Sequence, residues 1–323
     1  MTTKRILFVS KGTHAASTRY RALHYFDCLQ QAGWQTEHFT AHSSPVSRIR
    51  LLLKARQFHT VVIVRRLFPA WFMGMLQLAC DNIVFDFDDA IFTHSSGANA
   101  ARRIKRFTTM VVYCNQVWAG NGFLANAASK NNNVMLLPTA INTGHYAVNT
   151  VKPETSIDLV WIGSSSTRKY LELVLPILES LATELPQLRL KIIADFSLDT
   201  RQIKTLPVQW AEDTEAMELA SSHIGIAPMI DNDWTRGKCG LKLLQYMAAG
   251  LPVISSPFGA NREIVIEGET GLFADSEQQW KNAIRTLASN VDLRQRMGNT
   301  GKQRVLDHYS INTNCEKIKK ALS

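Results

Sequence analysis

The chain has 323 residues, of which 46% are hydrophobic and 20% are charged, and its formal net charge is +9. This length exceeds the roughly 250 to 300 residues at which a single core stops growing, so we expect two domains. The composition excludes a disordered protein, and no apolar run is long enough for a signal peptide or a bilayer-spanning helix.

The cysteines predict neither a disulfide framework nor a structural zinc site. They are odd in number, scattered, and include no C-x-x-C pair. Paired or metal-binding cysteines usually occur in even sets at short, regular spacings. We therefore expect free thiols in a reducing cytoplasm. The five are Cys28, Cys80, Cys114, Cys239 and Cys315.

The first half of the chain alternates predicted strands with predicted helices. The strands are short apolar runs rich in β-branched and aromatic residues. This alternation predicts a parallel sheet covered by helices on both faces. The predicted strands are residues 5–10, 60–66, 82–90, 116–120 and 134–138, and the predicted helices are residues 19–31, 71–78 and 101–112.

A second α/β series follows a polar, turn-rich stretch at residues 139–156, which we interpret as a linker. The two series predict an α/β fold with two Rossmann-like domains facing each other across a cleft, where ligands bind beyond the carboxyl ends of the strands. We place the domains at residues 1–148 and 149–305, and expect a C-terminal helix at 306–323 to pack back towards the first domain. The segments that contain the predicted strands of the second series are residues 157–166, 188–196, 208–210, 223–229, 253–256 and 271–274.

The loop after the first strand of the second series has the features of an anion site. "WIGSSSTRKYL" leaves the strand through Gly163 and Ser164 and enters a helix, with Ser166 or Thr167 as its expected cap. Backbone N–H groups at the helix start, with Arg168 and Lys169 in the first turn, attract an anion. A purely structural turn is the alternative.

A second anion site is predicted in "KCGLKLLQYMAAGLPVISSPFGANREIV", residues 238–265. A helix that begins near Gly240 points its partial positive charge outward, and Lys238 adds a full charge beside it. Gly250 and Pro252 are ordinary helix-terminating residues at the end of this helix. Together the two loops suit a pyrophosphate.

These segments carry a resemblance to a known family. "MAAGLPVI", the small-residue turn before "REIV", "GETGLF" and "GKQRVLDHYS" resemble the donor-binding half of family 4 glycosyltransferases, which are retaining enzymes of the GT-B fold. "STRYR", "FDFDDAIF" and "GNGFLANAA" resemble a subgroup of that family with lower specificity. The resemblance implies nucleotide-sugar binding at the residues that match its motifs: Gly163, Ser164, Arg168, Lys169, Lys238, Cys239, Gly240, Leu241 and Gln245.

The chain departs from the family at two glutamates that flank this helix. Gly237 stands where the sugar-side glutamate is usual, and Gln245 where the ribose-side glutamate is usual. A glutamine amide still hydrogen-bonds a ribose hydroxyl, so we expect Gln245 to keep that contact. The sugar-side contact would have to come from backbone amides near Cys239 and Gly240, or from acids of the first domain.

Asp88 and Asp89 of "FDFDDA" are the candidate acids, because they lie at the carboxyl end of a predicted strand. We prefer a loop acid that hydrogen-bonds donor or acceptor hydroxyls. A metal-binding D-x-D formed with Asp86, and an aspartate that only caps the next segment, are the alternatives. With Lys169 and Lys238, these two aspartates complete the predicted catalytic set, which includes no metal.

Acceptor binding is predicted at His14, Arg19, Arg21 and Asp89. The loop "KGTHAASTRYR" follows the first strand, and its arginines would steer a phosphorylated or lipid-linked acceptor, although they are equally typical of an ordinary first helical turn. The basic cluster at residues 101–107 matches no nucleic-acid module. It suits a solvated helix face or, alternatively, contact with an anionic membrane surface.

The sequence therefore predicts a retaining, metal-independent glycosyltransferase without a cofactor. It would move a sugar from a nucleotide donor to a saccharide or lipid-linked acceptor, in cell-surface polysaccharide or glycolipid assembly at the inner face of the membrane. A non-catalytic nucleotide-sugar binding subunit is the alternative, because both glutamates are missing. A nicotinamide oxidoreductase is disfavoured, since neither first strand is followed by G-x-G-x-x-G.

Overall fold

The computed structural model describes residues 4–94 and 100–322. Two six-stranded sheets form the framework, and every strand pair in them is parallel. The strands are β1 (Arg5–Ser10), β2 (Gln35–Thr40), β3 (Thr60–Val64), β4 (Asn82–Phe87), β5 (Gln116–Ala119), β6 (Val134–Leu136), β7 (Ile157–Ile162), β8 (Leu188–Ala194), β9 (Lys204–Gln209), β10 (Ile224–Ala227), β11 (Val253–Ser255) and β12 (Gly271–Phe273).

Helices connect the strands, and short 3-10 turns lie at residues 23–25, 143–146 and 165–167. No helix among the residues that the structure describes is long and apolar enough to span a bilayer. The helices are α1 (Ala16–Arg21), α2 (Phe26–Gln31), α3 (Pro45–Ala55), α4 (Ala70–Gln77), α5 (Ala101–Tyr113), α6 (Gly122–Ala127), α7 (Arg168–Glu184), α8 (Glu215–Ala220), α9 (Asp233–Arg236), α10 (Leu241–Ala248), α11 (Asn261–Ile264), α12 (Glu277–Ser289), α13 (Val291–His308) and α14 (Ile311–Leu322).

The chain divides into two compact units. The first comprises Met1–Ala140, Asn232–Cys239 and Ile311–Ser323, and the second comprises Ile141–Asp231 and Gly240–Ser310. The division differs from the predicted boundaries because it falls at 140/141 and because the first unit includes the α9 segment. The sequence-based boundaries assign that segment, and with it Lys238 and Cys239, to the second domain.

The α9 segment belongs to the first unit because buried polar contacts hold it there. The buried Asn121 side chain donates its Nδ2 hydrogens to the carbonyl oxygens of Arg236, at 3.0 Å, and Lys238, at 2.9 Å. The Cys239 thiol donates to the carbonyl oxygen of Asp88 at 3.2 Å. These partners are remote in sequence, so no local sequence pattern predicts the contacts.

In the first unit the strand order is β2-β1-β3-β4-β5-β6. Apolar clusters cover both faces of this sheet, as expected for a parallel sheet between helices. The predicted strands at its centre are present. Strand β2 and helix α3 lie outside the predicted elements, because "QTEHFT" is a polar, half-exposed edge strand without an apolar run.

In the second unit the order is β12-β11-β10-β7-β8-β9. Strands β7 and β10 are neighbours, and Gly225 of β10 pairs with Val160 of β7 on one side and Val253 of β11 on the other. The chain leaves β7 and β10 towards opposite edges of the sheet, so a crevice opens between the loops that follow them. In the first unit the same reversal lies between β1 and β3.

Candidate functional site

In the second unit, the loop after β7 is built around a close approach at Gly163. A Cβ atom there would lie 2.3 Å from the Trp161 ring and 2.8 Å from the Lys242 Nζ atom, so only glycine fits. The Lys242 ammonium lies 3.9 Å from the centroid of the Trp161 ring, a cation–π contact. The fold thus brings a lysine to this loop. Sequence reasoning missed Lys242, although "GLKLL" places it in the first turn of α10.

The loop itself uses part of its hydrogen-bonding capacity internally. Ser164 and Thr167 form a capping box around the 3-10 turn at residues 165–167. Of the two predicted caps, Thr167 occupies the N-cap position of α7, without a side-chain capping hydrogen bond. The Ser165 N–H donates to Asp195 Oδ1 at 2.7 Å, and hydrogen bonding from the Ser165 side chain, together with this N–H, lowers the pKa of Asp195. A phosphate that used the Ser165 N–H would therefore compete with a carboxylate.

The two predicted cations at the start of α7 lie on its exposed surface. The Arg168 Nε atom donates to Glu172 Oε1 at 2.7 Å, one turn along the helix. The Lys169 Nζ atom lies 5.2 Å from the Tyr170 ring centroid. Of the two, Arg168 has a carboxylate partner, so its charge is offset locally.

Helix α10 begins after Gly240, which is required on two grounds. Its φ angle of +63° lies in the left-handed region, which favours glycine. A Cβ atom would also lie 2.3 Å from Ile264 Cδ1. The residue before Leu241 is therefore fixed by backbone and packing together.

Gln245 lies inside the second unit and is bonded to a buried carboxylate. Its Nε2 group donates to Glu215 Oε1 at 2.7 Å, and the Tyr146 hydroxyl donates to the same oxygen at 2.5 Å. The Trp210 Nε1–H donates to the other oxygen at 2.6 Å. The structure thus corrects the expectation that the Gln245 amide is free for a ribose, because the residue is only 4% exposed and its amide nitrogen is bonded to the buried Glu215 carboxylate. Glu215 had no sequence signal.

In the first unit, Asp88 and Asp89 form a charge cluster with Arg65 and Lys238. Arg65 Nη2 lies 2.7 Å from Asp89 Oδ2, and its Nη1 lies 3.4 Å from Asp88 Oδ1. Lys238 Nζ lies 3.1 and 3.2 Å from the two Asp89 oxygens. Asp89 is therefore buried between two cations, and Lys238 is paired with a carboxylate in the ligand-free chain.

Arg65 has a backbone conformation that is rare for a side-chain-bearing residue. Its φ angle is +53°, and it is the one positive φ outside glycine among the described residues. Such strain persists where surrounding contacts hold it, and it is concentrated at functional sites. Burial would lower the pKa of Arg65, but the carboxylates of Asp88 and Asp89 raise it. Sequence reasoning treated Arg65 as a strand-end residue.

Gly237, at the position where the family that the sequence resembles usually has a glutamate, packs against the loop after β4. A Cβ atom there would lie 2.5 Å from Ala90 Cβ and 2.8 Å from the Ala90 nitrogen. A glutamate at this position would require the Ala90 backbone to move. The missing carboxylate is thus a consequence of how the α9 segment packs.

The predicted acceptor residues are divided between surface and interior. His14 is exposed, and Arg19 lies with its guanidinium 4.9 Å from the Tyr20 ring centroid. Arg21 is fully buried, forms an ion pair with Asp86 through Nε at 3.0 Å and through Nη2, and donates to the Leu137 carbonyl oxygen at 2.8 Å.

A side chain with no exposed surface does not reach an acceptor, so the prediction for Arg21 is wrong. Burial of this guanidinium would lower its pKa, but the Asp86 carboxylate raises it. The same ion pair occupies Asp86, which leaves it unable to form the alternative D-x-D site with Asp88.

A family model described as Glycosyl transferases group 1 matches residues 156–290. This range contains the Gly163 loop and helix α10. No curated protein sequence matches the chain.

Several solved structures align with nearly the full length of the chain. Sucrose-phosphate synthase from Thermosynechococcus elongatus aligns with a TM-score of 0.75 and 14% identity, over 98% of each chain. Anabaena HepE in complex with UDP and glucose gives 0.73 and 12%, over 99% of each chain. A glycosyltransferase from Rickettsia africae gives 0.75 and 14%, over 100% of this chain and 98% of that one. The likeness identifies the GT-B fold.

Proposed function

We propose that this chain is a retaining, metal-independent glycosyltransferase that takes its sugar from a nucleotide-diphosphate donor. The observation that carries the proposal is the position of the family match. Residues 156–290 include both loops at the strand-order reversal of the second unit, which is where a parallel sheet of this type binds ligands. No cofactor is required, since the nucleotide sugar is a substrate.

The donor pyrophosphate is assigned to the crevice between the loops after β7 and β10. Gly163 lets a phosphate approach the backbone closely, as it does the Lys242 ammonium. The start of α10 contributes partial positive charge, and Lys169 at the start of α7 adds a mobile cation. Lys242 extends the predicted set of Lys169 and Lys238.

The reaction breaks the bond between the anomeric carbon and the β-phosphate oxygen. The acceptor hydroxyl oxygen forms a bond to the same carbon on the same face, and its proton passes to the departing phosphate oxygen. Negative charge grows on the leaving phosphate, so preorganised cations and helix ends lower the barrier. This scheme needs no protein nucleophile.

Asp89 is proposed to position Lys238 and Arg65. Both of its oxygens are engaged by these cations, which leaves little capacity for a sugar hydroxyl. Asp88 differs, because its buried Oδ1 atom accepts no hydrogen bond from the described residues and is engaged through the 3.4 Å ion pair with Arg65 Nη1. Of the two predicted catalytic aspartates, Asp88 is the better candidate to accept a hydrogen bond from a substrate hydroxyl.

The nucleotide is proposed to be uridine diphosphate and the sugar a hexose. Structures of HepE contain UDP and UDP-glucose, which puts UDP-hexoses first among the donors to test. A saccharide or lipid-linked acceptor is proposed, with the protein in the cytoplasm at the inner face of the membrane, in cell-surface polysaccharide or glycolipid assembly.

The donor site is tested by Lys169→Ala and Lys242→Ala, with the exposed Lys204→Ala as the matched control. Donor turnover, measured as release of nucleoside diphosphate, should fall by about a hundredfold or more in the first two because transition-state charge is left uncompensated. Lys204→Ala should keep the wild-type rate. Normal turnover in both site variants, with folding confirmed by circular dichroism, would refute the assignment.

A non-catalytic nucleotide-sugar binding subunit is the second candidate. The observation that favours it concerns two positions. Gly237 has no room for a carboxylate side chain, and the Gln245 amide is hydrogen-bonded to Glu215. A thermal-shift panel of UDP-, GDP-, ADP- and dTDP-sugars, paired with the turnover assay, separates the two. Stabilisation by a donor without any turnover supports the second candidate.

A further inference from the structure

The first unit contains a basic cavity of about 720 Å³ that the proposed donor site does not use. It lies beyond the carboxyl ends of β2, β3 and β4, where α3 and α5 begin. No aspartate or glutamate is among its described lining residues. Six arginines line it: Arg48, Arg65, Arg66, Arg102, Arg103 and Arg106.

Several of these guanidinium groups have no counter-charge. Arg65 is neutralised by Asp88 and Asp89, and Arg103 Nη1 donates to the Thr93 carbonyl oxygen at 3.0 Å. Arg66 and Arg106, in contrast, are half-buried and pair with no carboxylate among the described residues. Burial lowers the pKa of Arg66, with no partner to offset it.

Arg48 adds a third unsatisfied group. Its Nε atom is buried without a hydrogen-bond partner in the part of the chain that the structure describes, and its guanidinium lies 5.4 Å from the Trp71 ring centroid. Holding several half-buried positive charges close together is unfavourable unless a bound anion neutralises them. The cavity is therefore prepared for a multiply charged anion, and planar guanidinium forks match phosphate oxygens in pairs.

We propose that this cavity binds a phosphate or diphosphate group of the acceptor. The inference rests on the proposed function, since it names the acceptor chemistry of the same enzyme. It also replaces the expectation for Arg21, which is buried elsewhere, with Arg66 and Arg106 as the residues that recognise acceptor charge.

The neighbouring surface favours a lipid-linked source for that phosphate. Helix α4 begins beside the cavity and leaves Trp71, Met75 and Leu78 exposed, although the opposite side of the helix is buried. Arg48 connects this apolar row to the cavity through its contact with Trp71. In a lipid diphosphate, the charged group would bind the arginines of the cavity and the hydrocarbon chain would cover the exposed apolar residues of α4.

The test compares Arg66→Gln/Arg106→Gln with Arg50→Gln/Arg56→Gln, a control that removes two exposed arginines outside the cavity. Calorimetric titration with inorganic pyrophosphate measures binding to the full chain. The cavity variant should bind about tenfold or more weakly, because two charge-assisted contacts are lost. The wild type and the control should bind alike. The lysines of the second unit are unchanged in all three proteins, so binding there contributes equally.

Folding is checked by the melting temperature, which should not fall in the cavity variant, since neither arginine has a carboxylate partner to lose among residues 4–94 and 100–322. If the double variant unfolds, Arg106→Gln alone gives the same comparison. Equal affinity in all three proteins would overturn the inference and leave the proposed function standing if a nucleotide sugar still binds. If the cavity variant loses pyrophosphate binding and none of the three proteins binds a nucleotide sugar, the cavity is still an anion site but the proposed transferase function is refuted.

A second titration with geranyl diphosphate distinguishes the sources of the phosphate. Tighter binding than pyrophosphate, weakened by the cavity substitutions, supports a lipid-linked acceptor. Equal binding of both probes supports a soluble phosphorylated acceptor in the same cavity. If the affinity for geranyl diphosphate is the same in the wild type and the cavity variant, the proposal is contradicted for either source of the phosphate.

Discussion

Gly237 shows how a single residue records the packing of a distant loop. Its φ angle of −75° is ordinary, so the backbone does not require glycine. The requirement comes from Ala90, whose Cβ and nitrogen occupy the space that a side chain would enter. The sequence suggests that a catalytic carboxylate has been lost at this position. In the structure, the glycine is explained by steric packing within the first unit.

We predict that Gly237→Glu destabilises the protein and does not improve donor turnover. Forcing a side chain into this contact should cost about 1–3 kcal/mol or more of unfolding free energy, because the Ala90 backbone must shift. Denaturant unfolding measures the change. Gly74→Glu, the same exchange at a helical glycine with open space around its Cβ, is the control and should be neutral or stabilising. A stable Gly237→Glu protein with raised turnover would contradict the packing argument.

At the scale of elements, the start of β10 is joined to the linker through His223. The Asp158 N–H donates to His223 Nδ1 at 3.0 Å, and the ring Nε2 contacts the Pro153 carbonyl oxygen at 3.1 Å. An Nδ1 that accepts a hydrogen bond belongs to a neutral ring. Burial, with the nearby charges of Lys152 and Arg294 against that of Asp158, lowers the pKa of His223 to about 4.

We therefore predict that stability declines as the pH falls from about 6.5 to about 4. In this window the unfolded chain binds a proton at His223 and the folded chain does not, so unfolding is favoured as the pH drops. His223→Gln should flatten that part of the melting-temperature profile, whereas the exposed His14→Gln should leave it unchanged. A profile for His223→Gln that is parallel to the wild type would exclude this role.

At the scale of the whole molecule, the C-terminal helix completes the first unit. Helix α14 buries Cys315, Ile318 and Leu322 in the cluster that contains Tyr25 and Leu29. A disulfide joins Cys28 of α2 to Cys315. The prediction that no cysteine is paired is wrong, because residues 287 apart in sequence are brought together by tertiary packing. The cysteines therefore give no support to the proposed cytoplasmic location.

The disulfide predicts a redox-dependent stability. Reduction, or Cys315→Ser, should lower the unfolding free energy by about 2–4 kcal/mol, because a long loop regains its freedom in the unfolded chain. Reductant should have no further effect on Cys315→Ser. Thiol titration of the denatured, unreduced protein should find the three free cysteines, Cys80, Cys114 and Cys239. Five titrating thiols would disprove the pairing.

The sequence by itself determined the two α/β series and the glycines at the helix and loop starts. These follow from hydrophobic period and turn residues, which act over a few neighbours along the chain. Gly163 and Gly240 could be identified in this way, because each lies between a strand and a helix.

Only the tertiary structure decided which charges are free and which are paired. It placed Arg21 in the interior with Asp86, moved the Lys238 segment to the first unit, joined Gln245 to Glu215, and set Lys242 beside Gly163. Each of these contacts joins residues at least 30 positions apart, and their energies depend on burial and geometry that no local pattern encodes.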